Sequence, residues 1–242
     1  MKNVTSTVVL LMTLVFAVSK SANAQTAQPS KIWVDINGGG QLQSHTLTTS
    51  SSSDLYGEKL VISTSQNIPA GGLFDISGGY KIRPAFGVAI GVSVYSRGGE
   101  GSLTASVPSP VVPNSPTIVN VSGSDLGRTE TGTHIMFTYF VPMSDKVDFS
   151  IFAGPSFIHV SQDLISATVT TSGTTPVVTQ TTTHESATAF GGNVGVTANY
   201  LLSHMIGVGG FLRYAGGSFD LSSASKQKAG GIQIGGGIRL RF

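Results

Sequence analysis

Residues 232–242 read Ile-Gln-Ile-Gly-Gly-Gly-Ile-Arg-Leu-Arg-Phe, and this stretch decides the fold. Apart from Gly236, every second position is apolar, at Ile232, Ile234, Ile238, Leu240 and Phe242. Successive side chains of a β-strand point to opposite faces, so the segment has one apolar face and one face of small or polar residues. We therefore predict a strand that separates an apolar environment from a polar one.

The first 24 residues have the three parts of a secretory signal peptide. Lys2 is positive, residues 8–18 are apolar, and Ala22-Asn23-Ala24 has the small-x-small pattern of a cleavage site. The apolar part is shorter than the roughly 20 residues that a membrane-spanning helix needs. The sequence predicts a signal peptide over 1–24, a short N-terminal segment over 25–30 and one domain over 31–242.

Composition limits the classes of protein to which the chain can belong. Without Lys2 and Lys20 it carries 12 basic and 12 acidic residues, so it lacks the basic excess that a nucleic-acid partner requires. The absence of cysteine excludes disulfides and thiolate metal sites. No apolar run after the signal peptide approaches the length of a spanning helix. A membrane protein of this composition would have to be a closed barrel.

The alternation of the last strand recurs in seven earlier segments, which gives eight predicted strands. Their approximate bounds are 31–42, 72–81, 86–97, 130–141, 147–161, 188–200, 206–216 and 232–242. Most are near the roughly 9–11 residues with which a tilted strand crosses a bilayer. Because Pro155 has no N–H to donate, we predict a β-bulge within the fifth strand.

Loop lengths alternate along the chain. Tight turns at 81–85, 142–146 and 201–205 alternate with long segments at 43–71, 98–129 and 162–187, while the last connection, 217–229, is short. Short turns on one side and long loops on the other are typical of outer-membrane barrels. The pattern predicts an all-β fold, an eight-stranded antiparallel up-and-down transmembrane β-barrel with long extracellular hairpin loops.

The aromatic residues of the apolar face fall into two groups. One group lies at the strand ends next to the tight turns (Tyr80, Phe86, Tyr139, Phe149, Tyr200, Phe242), and the other at the opposite ends (Phe74, Phe157, Phe190, Tyr214). Aromatic side chains favour the two interfaces of a bilayer, so two belts are expected of a membrane barrel. A soluble β-sandwich also alternates, but it turns its apolar face inward and has no reason to sort its aromatics.

The signal peptide, the eight alternating strands and the terminal Phe242 together resemble the small outer-membrane β-barrel family that includes the membrane domain of OmpA, OmpX and OmpW. Residues 74–80 and 190–196 are similar to segments of members known only as barrel domains. The resemblance implies a monomer in the outer membrane of a Gram-negative bacterium, in contact with lipid and lipopolysaccharide.

The resemblance also assigns a role to the end of the chain. The barrel-assembly machinery would recognise the last strand through Ile238, Leu240 and Phe242. The peptidoglycan-binding domain that follows the barrel in OmpA is not expected here, because the sequence stops on the last strand.

Charged and polar residues on the inward face predict a filled lumen. The predicted network consists of Asp35, Asp75, Glu130, His134, Asp148, Asn193, Arg213, Gln233 and Arg239, and Arg97 and Arg241 share this face. An eight-stranded barrel has room inside only for side chains, and buried charges require partners. Inward glycines leave some space, so a narrow channel for ions or small apolar solutes is the alternative.

No catalytic, cofactor-binding or metal-binding residue is predicted. His159-Val160-Ser161 has the His-x-Ser spacing that one class of lipid A deacylases carries on a lipid-facing strand, which makes an enzyme the remote alternative. A catalytic serine needs a base that a third group orients, and no acidic partner is evident on that face. The other histidines, His45, His184 and His204, lack the spacing of metal ligands. We expect no enzyme activity.

The long loops have strand-forming residues on both arms, at 60–64, 117–121, 168–171 and 177–181. These arms predict hairpins that continue the barrel wall, and the short fourth loop would leave the raised sheet with open edges. An open edge can accept a strand from a partner. Prolines 108, 110, 113 and 116 favour instead mobile loops without a partner. The functional prediction is a structural or surface-interaction role, with an extracellular protein as ligand.

Overall fold

Ten antiparallel strands account for most of the residues that the computed structural model describes, which are 30–172, 175–220 and 227–242. They are β1 (Ile32–Gln41), β2 (His45–Leu55), β3 (Glu58–Ile68), β4 (Gly71–Arg83), β5 (Phe86–Val107), β6 (Thr117–Ser144), β7 (Val147–Ser172), β8 (Thr175–Leu201), β9 (Ile206–Phe219) and β10 (Gln227–Arg241). The predicted signal peptide lies outside the described residues. No helix in these ranges is long and apolar enough to cross a membrane.

Eight of the strands close into a ring. The hydrogen-bonded neighbours run β1–β4–β5–β6–β7–β8–β9–β10 and return to β1, where the closing seam pairs Trp33 with Arg241 and Gln41 with Gln233. The remaining strands, β2 and β3, form a hairpin that joins the sheet through the pairing of β3 with β5. The eight-stranded antiparallel up-and-down barrel predicted from the sequence is therefore confirmed.

The two faces of the wall have the polarity of a membrane barrel. On β10, Ile234 and Ile238 point outward with 48% and 43% of their surface exposed, whereas Gln233 and Arg239 point inward with 3% and 1% exposed. A soluble sandwich would show the opposite arrangement, because water would drive the isoleucines inward. The outer face also carries aromatic pairs, among them Phe157 with Phe190, whose ring centroids are 5.2 Å apart.

The predicted bulge at Pro155 is wrong. The register of β7 with β6 is the same on both sides of this residue, and Pro155 itself pairs regularly with Gly192 on β8. The side-chain amide of Asn193 donates to the carbonyl oxygens of Gly154 and Pro155, at 3.1 Å each, and so adds hydrogen bonds where proline removes one from the ladder. The alternation continues through Pro155, and Phe157 stays on the outer face.

Four strands are too long for the membrane alone. Strands β5, β6, β7 and β8 have 22, 28, 26 and 27 residues, whereas roughly 9–11 residues cross a bilayer. Their outer parts continue as the hairpins that the sequence predicted, β5 with β6 as far as Val107 and Thr117 and β7 with β8 as far as Ser172 and Thr175. We call this side of the barrel the hairpin end and the side with the tight turns the turn end.

The wall divides into two layers at the hairpin end. Pairing between β6 and β7 stops at Arg128 and Gln162, and beyond this point β2, β3, β5 and β6 form one sheet while β7 and β8 form another. An apolar cluster contains residues of both layers: Leu60, Leu103, Ala105, Val107, Leu126 and Ile165. The hairpins are thus packed elements with a core of their own.

Candidate functional site

Two regions carry polar or concave features, the lumen and the hairpin end. Nearest the turn end of the lumen, Arg239 donates two hydrogen bonds of 2.7 Å to Asp35 and a third of 3.0 Å to Asp148. The Arg239 side chain is 1% exposed, and the two carboxylates are at most 10% exposed. Such bidentate pairs are among the strongest hydrogen-bonded contacts in proteins.

A second ion pair occupies the middle of the lumen. Arg213 donates through Nη2 to Asp75 at 2.8 Å and through Nε to the amide oxygen of Gln233 at 2.7 Å. Gln233 in turn donates to Gln41 at 2.9 Å. The charges of β4 and β9 are therefore paired across the barrel, and the two glutamines extend this network toward the hairpin end.

The third ion pair lies nearest the hairpin end. Arg128 approaches Glu130 at 2.6 Å and donates to Gln162 at 2.7 Å, while the backbone N–H of Gly230 donates to Glu130 at 2.8 Å. Gln41 joins Glu130 at 3.4 Å and so connects this pair to the middle of the lumen. Arg128 and Gln162 were not predicted, because they lie just past the predicted strand ends. Extending the two-residue alternation one step from Glu130 would have found Arg128.

His134 forms a separate cluster of neutral groups. Its two ring nitrogens lie 2.9 Å from the Ser93 hydroxyl and 2.8 Å from the Ser156 hydroxyl, and Asn193 donates to Ser156 at 2.8 Å. The carbonyl oxygen of the Asn193 side chain is buried and has no hydrogen-bond partner among the described residues. This cluster fills the lumen on the side opposite Arg213 without contributing a paired charge.

Two residues assigned to the inward face lie elsewhere. Arg97 is exposed, because it follows Ser96, the last residue of β5 that pairs with β4, and the wall is open beyond that point. Arg241 is half-buried at the rim of the turn end, opposite Trp33 in the closing seam. The nine residues of the predicted network lie inside the barrel. The role of Ile238, Leu240 and Phe242 in assembly stays a prediction.

Little space remains between these side chains. A cavity of about 30 Å³ lies between the turn-end and middle ion pairs, bordered by Asp35, Asp75, Arg213 and Arg239. This volume holds one or two water molecules. The pocket beside Glu130 and His134 has no room for a water molecule.

A cleft of about 310 Å³ lies at the hairpin end. It lies between the β2–β3 hairpin and the β7–β8 hairpin. Its apolar lining comes from Leu47, Ile62, Leu164, Ile165 and Ala167, and most of its polar lining comes from serine and threonine hydroxyls. A cleft of this size and chemistry can take several small apolar or hydroxyl-bearing groups.

The predicted His-x-Ser pair is present on the outer face but does not interact. His159 bonds to Thr188 on β8 at 3.1 Å, whereas the Ser161 hydroxyl bonds to a different histidine, His184, at 2.8 Å. Among the described residues, no group of three or more histidine and acidic side chains could hold a metal ion.

These features define a class: an eight-stranded transmembrane β-barrel with a polar, packed lumen and long hairpins on one side. Among similar solved structures is the outer membrane protein OprG from Pseudomonas aeruginosa, with a TM-score of 0.53, 8% identity and coverage of 89% of this chain and 98% of OprG. Neisserial surface protein A matches with a TM-score of 0.46, 15% identity and coverage of 87% and 97%.

Ail, the attachment invasion locus protein of Yersinia pestis, matches with a TM-score of 0.39, 10% identity and coverage of 87% and 99%. No protein-family model matches the chain, and no curated protein sequence matches it. At 8% identity the likeness to OprG concerns the fold alone, and it agrees with the outer-membrane β-barrel described above.

Proposed function

We propose that the chain is a monomeric surface protein of the Gram-negative outer membrane, and that its hairpin end binds an extended segment of an extracellular protein. This proposal rests on the exposed edge of β2. Strand β2 is hydrogen-bonded to β3 on one side and has no strand on its other side within the described residues. A free edge offers backbone donors and acceptors to an incoming strand.

The sequence of β2 lacks the usual protection against strand addition. Edge strands that must remain unpaired carry lysine, proline, charges or a bulge. The eleven residues of β2 contain no lysine or proline, and Asp54, the one acidic residue, pairs with Lys59 at 2.7 Å near the turn of the hairpin. By contrast, the outer part of β8 contains Pro176 and Glu185. Of these two edges, β2 is the better acceptor.

The lining of the cleft would select which protein segments bind at β2. Leu47, Thr49 and Ser51 of β2 line it, and they share one face of the strand. A strand added to β2 would place every second side chain on this same face. Because the cleft is lined mainly by aliphatic and hydroxyl groups, with Gln66 and Glu185 beside them, it favours a partner segment rich in small apolar residues or threonine.

A lysine on the edge strand is expected to weaken this binding. Thr46→Lys adds a charge to an exposed position of β2, and we expect about fivefold weaker binding, from roughly 1 kcal/mol per cross-strand contact. The control is Asn67→Lys, which adds the same charge to the exposed residue that pairs with Thr46 on β3. The measurement is the binding of vesicles carrying the full chain to a panel of immobilised extracellular-matrix and envelope proteins.

Two results would contradict strand addition at β2. One is that no protein of the panel retains the vesicles above protein-free vesicles. The other is that the wild type, Thr46→Lys and Asn67→Lys all bind with the same affinity.

The second part of the proposal is a lumen that does not conduct. Three buried ion pairs and the tightly packed layer at Glu130 and His134 support this part of the proposal, because they narrow the space that water could occupy. In planar bilayers we expect the protein to insert without stable current steps above the lipid baseline, while a porin recorded in parallel conducts. Reproducible unitary steps would favour the alternative, a narrow channel.

A further inference from the structure

Three polar side chains on the outer face of β7 and β8 form a connected row. The Ser161 hydroxyl lies 2.8 Å from Nε2 of His184, and Nδ1 of His184 lies 2.8 Å from Oδ1 of Asp163. The second carboxylate oxygen, Oδ2 of Asp163, accepts the backbone N–H of Gly127 at 3.1 Å. A hydroxyl, an imidazole and an anchored carboxylate are thus joined in the order nucleophile, base and orienting acid.

The register of two adjacent strands creates this row. Asp163 pairs directly with His184 across β7 and β8, and Ser161 is two residues earlier on β7 and therefore on the same face. The row lies where β6 separates from β7, so the backbone N–H of Gly127 is not used by the β6–β7 ladder and is available to Asp163. The unbroken alternation through Pro155 puts Ser161 and Asp163 on the outer face of β7, and the direct pairing of Asp163 with His184 puts His184 on the same face of β8.

The position of the row indicates the substrate. Phe157 lies on the same face of β7, four residues toward the turn end, and stacks with Phe190 in the aromatic belt. At about 3.3 Å per residue, Ser161 lies roughly 13 Å further along the tilted strand, toward the hairpin end. Aromatic belts mark the bilayer interface, so a row at this distance from the belt is level with the headgroups of the outer leaflet.

We propose that Ser161, His184 and Asp163 hydrolyse fatty-acyl carboxylic esters of amphiphiles in the outer leaflet. Ser161 Oγ attacks the ester carbonyl carbon while its proton passes to Nε2 of His184. The imidazolium returns this proton to the leaving alcohol oxygen, which yields the free alcohol and an acyl-serine. A water molecule, deprotonated by His184, then attacks the acyl-serine, releases the fatty acid and restores the Ser161 hydroxyl.

Asp163 and two neighbouring hydroxyls stabilise the charges that develop during this reaction. Asp163 accepts the Nδ1–H of His184 and stabilises the imidazolium that forms during both steps. Thr129 on β6 and Ser186 on β8 are the register partners of Ser161. Cross-strand side chains lie about 5 Å apart at Cβ, so in this mechanism these two hydroxyls are assigned as donors to the oxyanion that develops on the ester carbonyl, with Thr129 turning away from its 3.5 Å contact with Ser96.

This inference departs from the sequence-based expectation of no enzyme activity. That expectation rested on His159, which in the structure bonds to Thr188. The base in the structure is His184, 23 residues from Ser161 along the chain, and only the pairing of β7 with β8 brings it to the serine.

The test uses the full chain reconstituted in vesicles, with release of free fatty acid measured by mass spectrometry. One arm contains phosphatidylethanolamine and phosphatidylglycerol alone, and the other also contains lipid A, so the arms identify which ester is cleaved. We expect Ser161→Ala and His184→Gln each to lower the rate by at least about 10²-fold, the lower range for loss of a positioned acid–base group. A fluorophosphonate probe should label Ser161 in the wild type and not in His184→Gln.

The matched control is His159→Gln, which removes an exposed histidine from the same face of β7 and leaves the row intact. This variant should retain the wild-type rate and labelling. Resistance to SDS before heating checks that each variant is folded. Release no faster than from protein-free vesicles in both arms, or unchanged release by Ser161→Ala, would overturn the proposal.

Discussion

Replacing Arg239 with methionine is expected to lower the free energy of unfolding by about 3–5 kcal/mol, the cost of leaving a buried charge without its partner. Arg239 pairs with both Asp35 and Asp148, so the change leaves two carboxylates inside a lumen from which nearly all water is excluded. Urea unfolding in phospholipid vesicles measures the loss. Trp33 is the one tryptophan of the chain and is buried, so its fluorescence reports the transition.

Two further variants separate the ion pair from general packing. Arg241→Met changes the other arginine of the same strand, which is half-buried at the rim, and should cost less than about 1 kcal/mol. Adding Asp35→Asn and Asp148→Asn to Arg239→Met removes all three charges and should restore part of the stability, because uncharged replacements of buried pairs are often tolerated. Equal stability of Arg239→Met and the wild type would show that these charges are not desolvated.

Gly237→Ala is expected to prevent proper closure of the barrel. A Cβ atom at this position would overlap the carbonyl oxygen of Ile36 on β1 and lie 2.8 Å from Cα of Asn37. Both contacts involve backbone atoms of the closing seam, which cannot move aside without breaking the pairing of β1 with β10. We expect a loss of about 3 kcal/mol, the upper part of the range for overpacking, and a much smaller folded fraction after refolding.

The control for this variant lies in the same seam. A Cβ atom at Gly38 would meet no atom within 4 Å, so Gly38→Ala should refold with the yield and stability of the wild type. The measurement is the fraction of protein that migrates as a compact, SDS-resistant barrel before heating. Equal yields for Gly237→Ala and Gly38→Ala would contradict the close approach of β1 and β10.

The turn-end bounds of the membrane strands were predicted to within three residues. The sequence predicted 31–42 and 206–216, and the structure has Ile32–Gln41 and Ile206–Phe219. The prediction was least accurate for the hairpin ends of β6 and β8, which begin at Thr117 and Thr175 rather than near residues 130 and 188. Beyond the membrane the wall splits and its apolar side chains pack between two layers, so the simple division into a lipid face and a lumen face no longer applies.

For the candidate sites, too, the sequence predicted one part and missed another. The inward position of Arg213 and Glu130 follows from alternation, but their partners do not. Asp75 lies 138 residues from Arg213, and Gln41 lies 89 residues from Glu130. The bulge wrongly predicted at Pro155 has a similar cause, since the compensating amide belongs to Asn193, on the next strand.

By itself, the sequence determined the number of membrane strands, the face of most side chains between the two strand ends and the side that carries the long hairpins. These properties follow from the two-residue repeat of a strand, which is local and independent of what the strand pairs with. Only the tertiary structure decided which charges meet in the lumen, where β6 leaves β7, and that His184 lies against Ser161. The reason is that such contacts depend on the register between strands and on the closure of the ring at Phe242, and one strand's sequence contains neither.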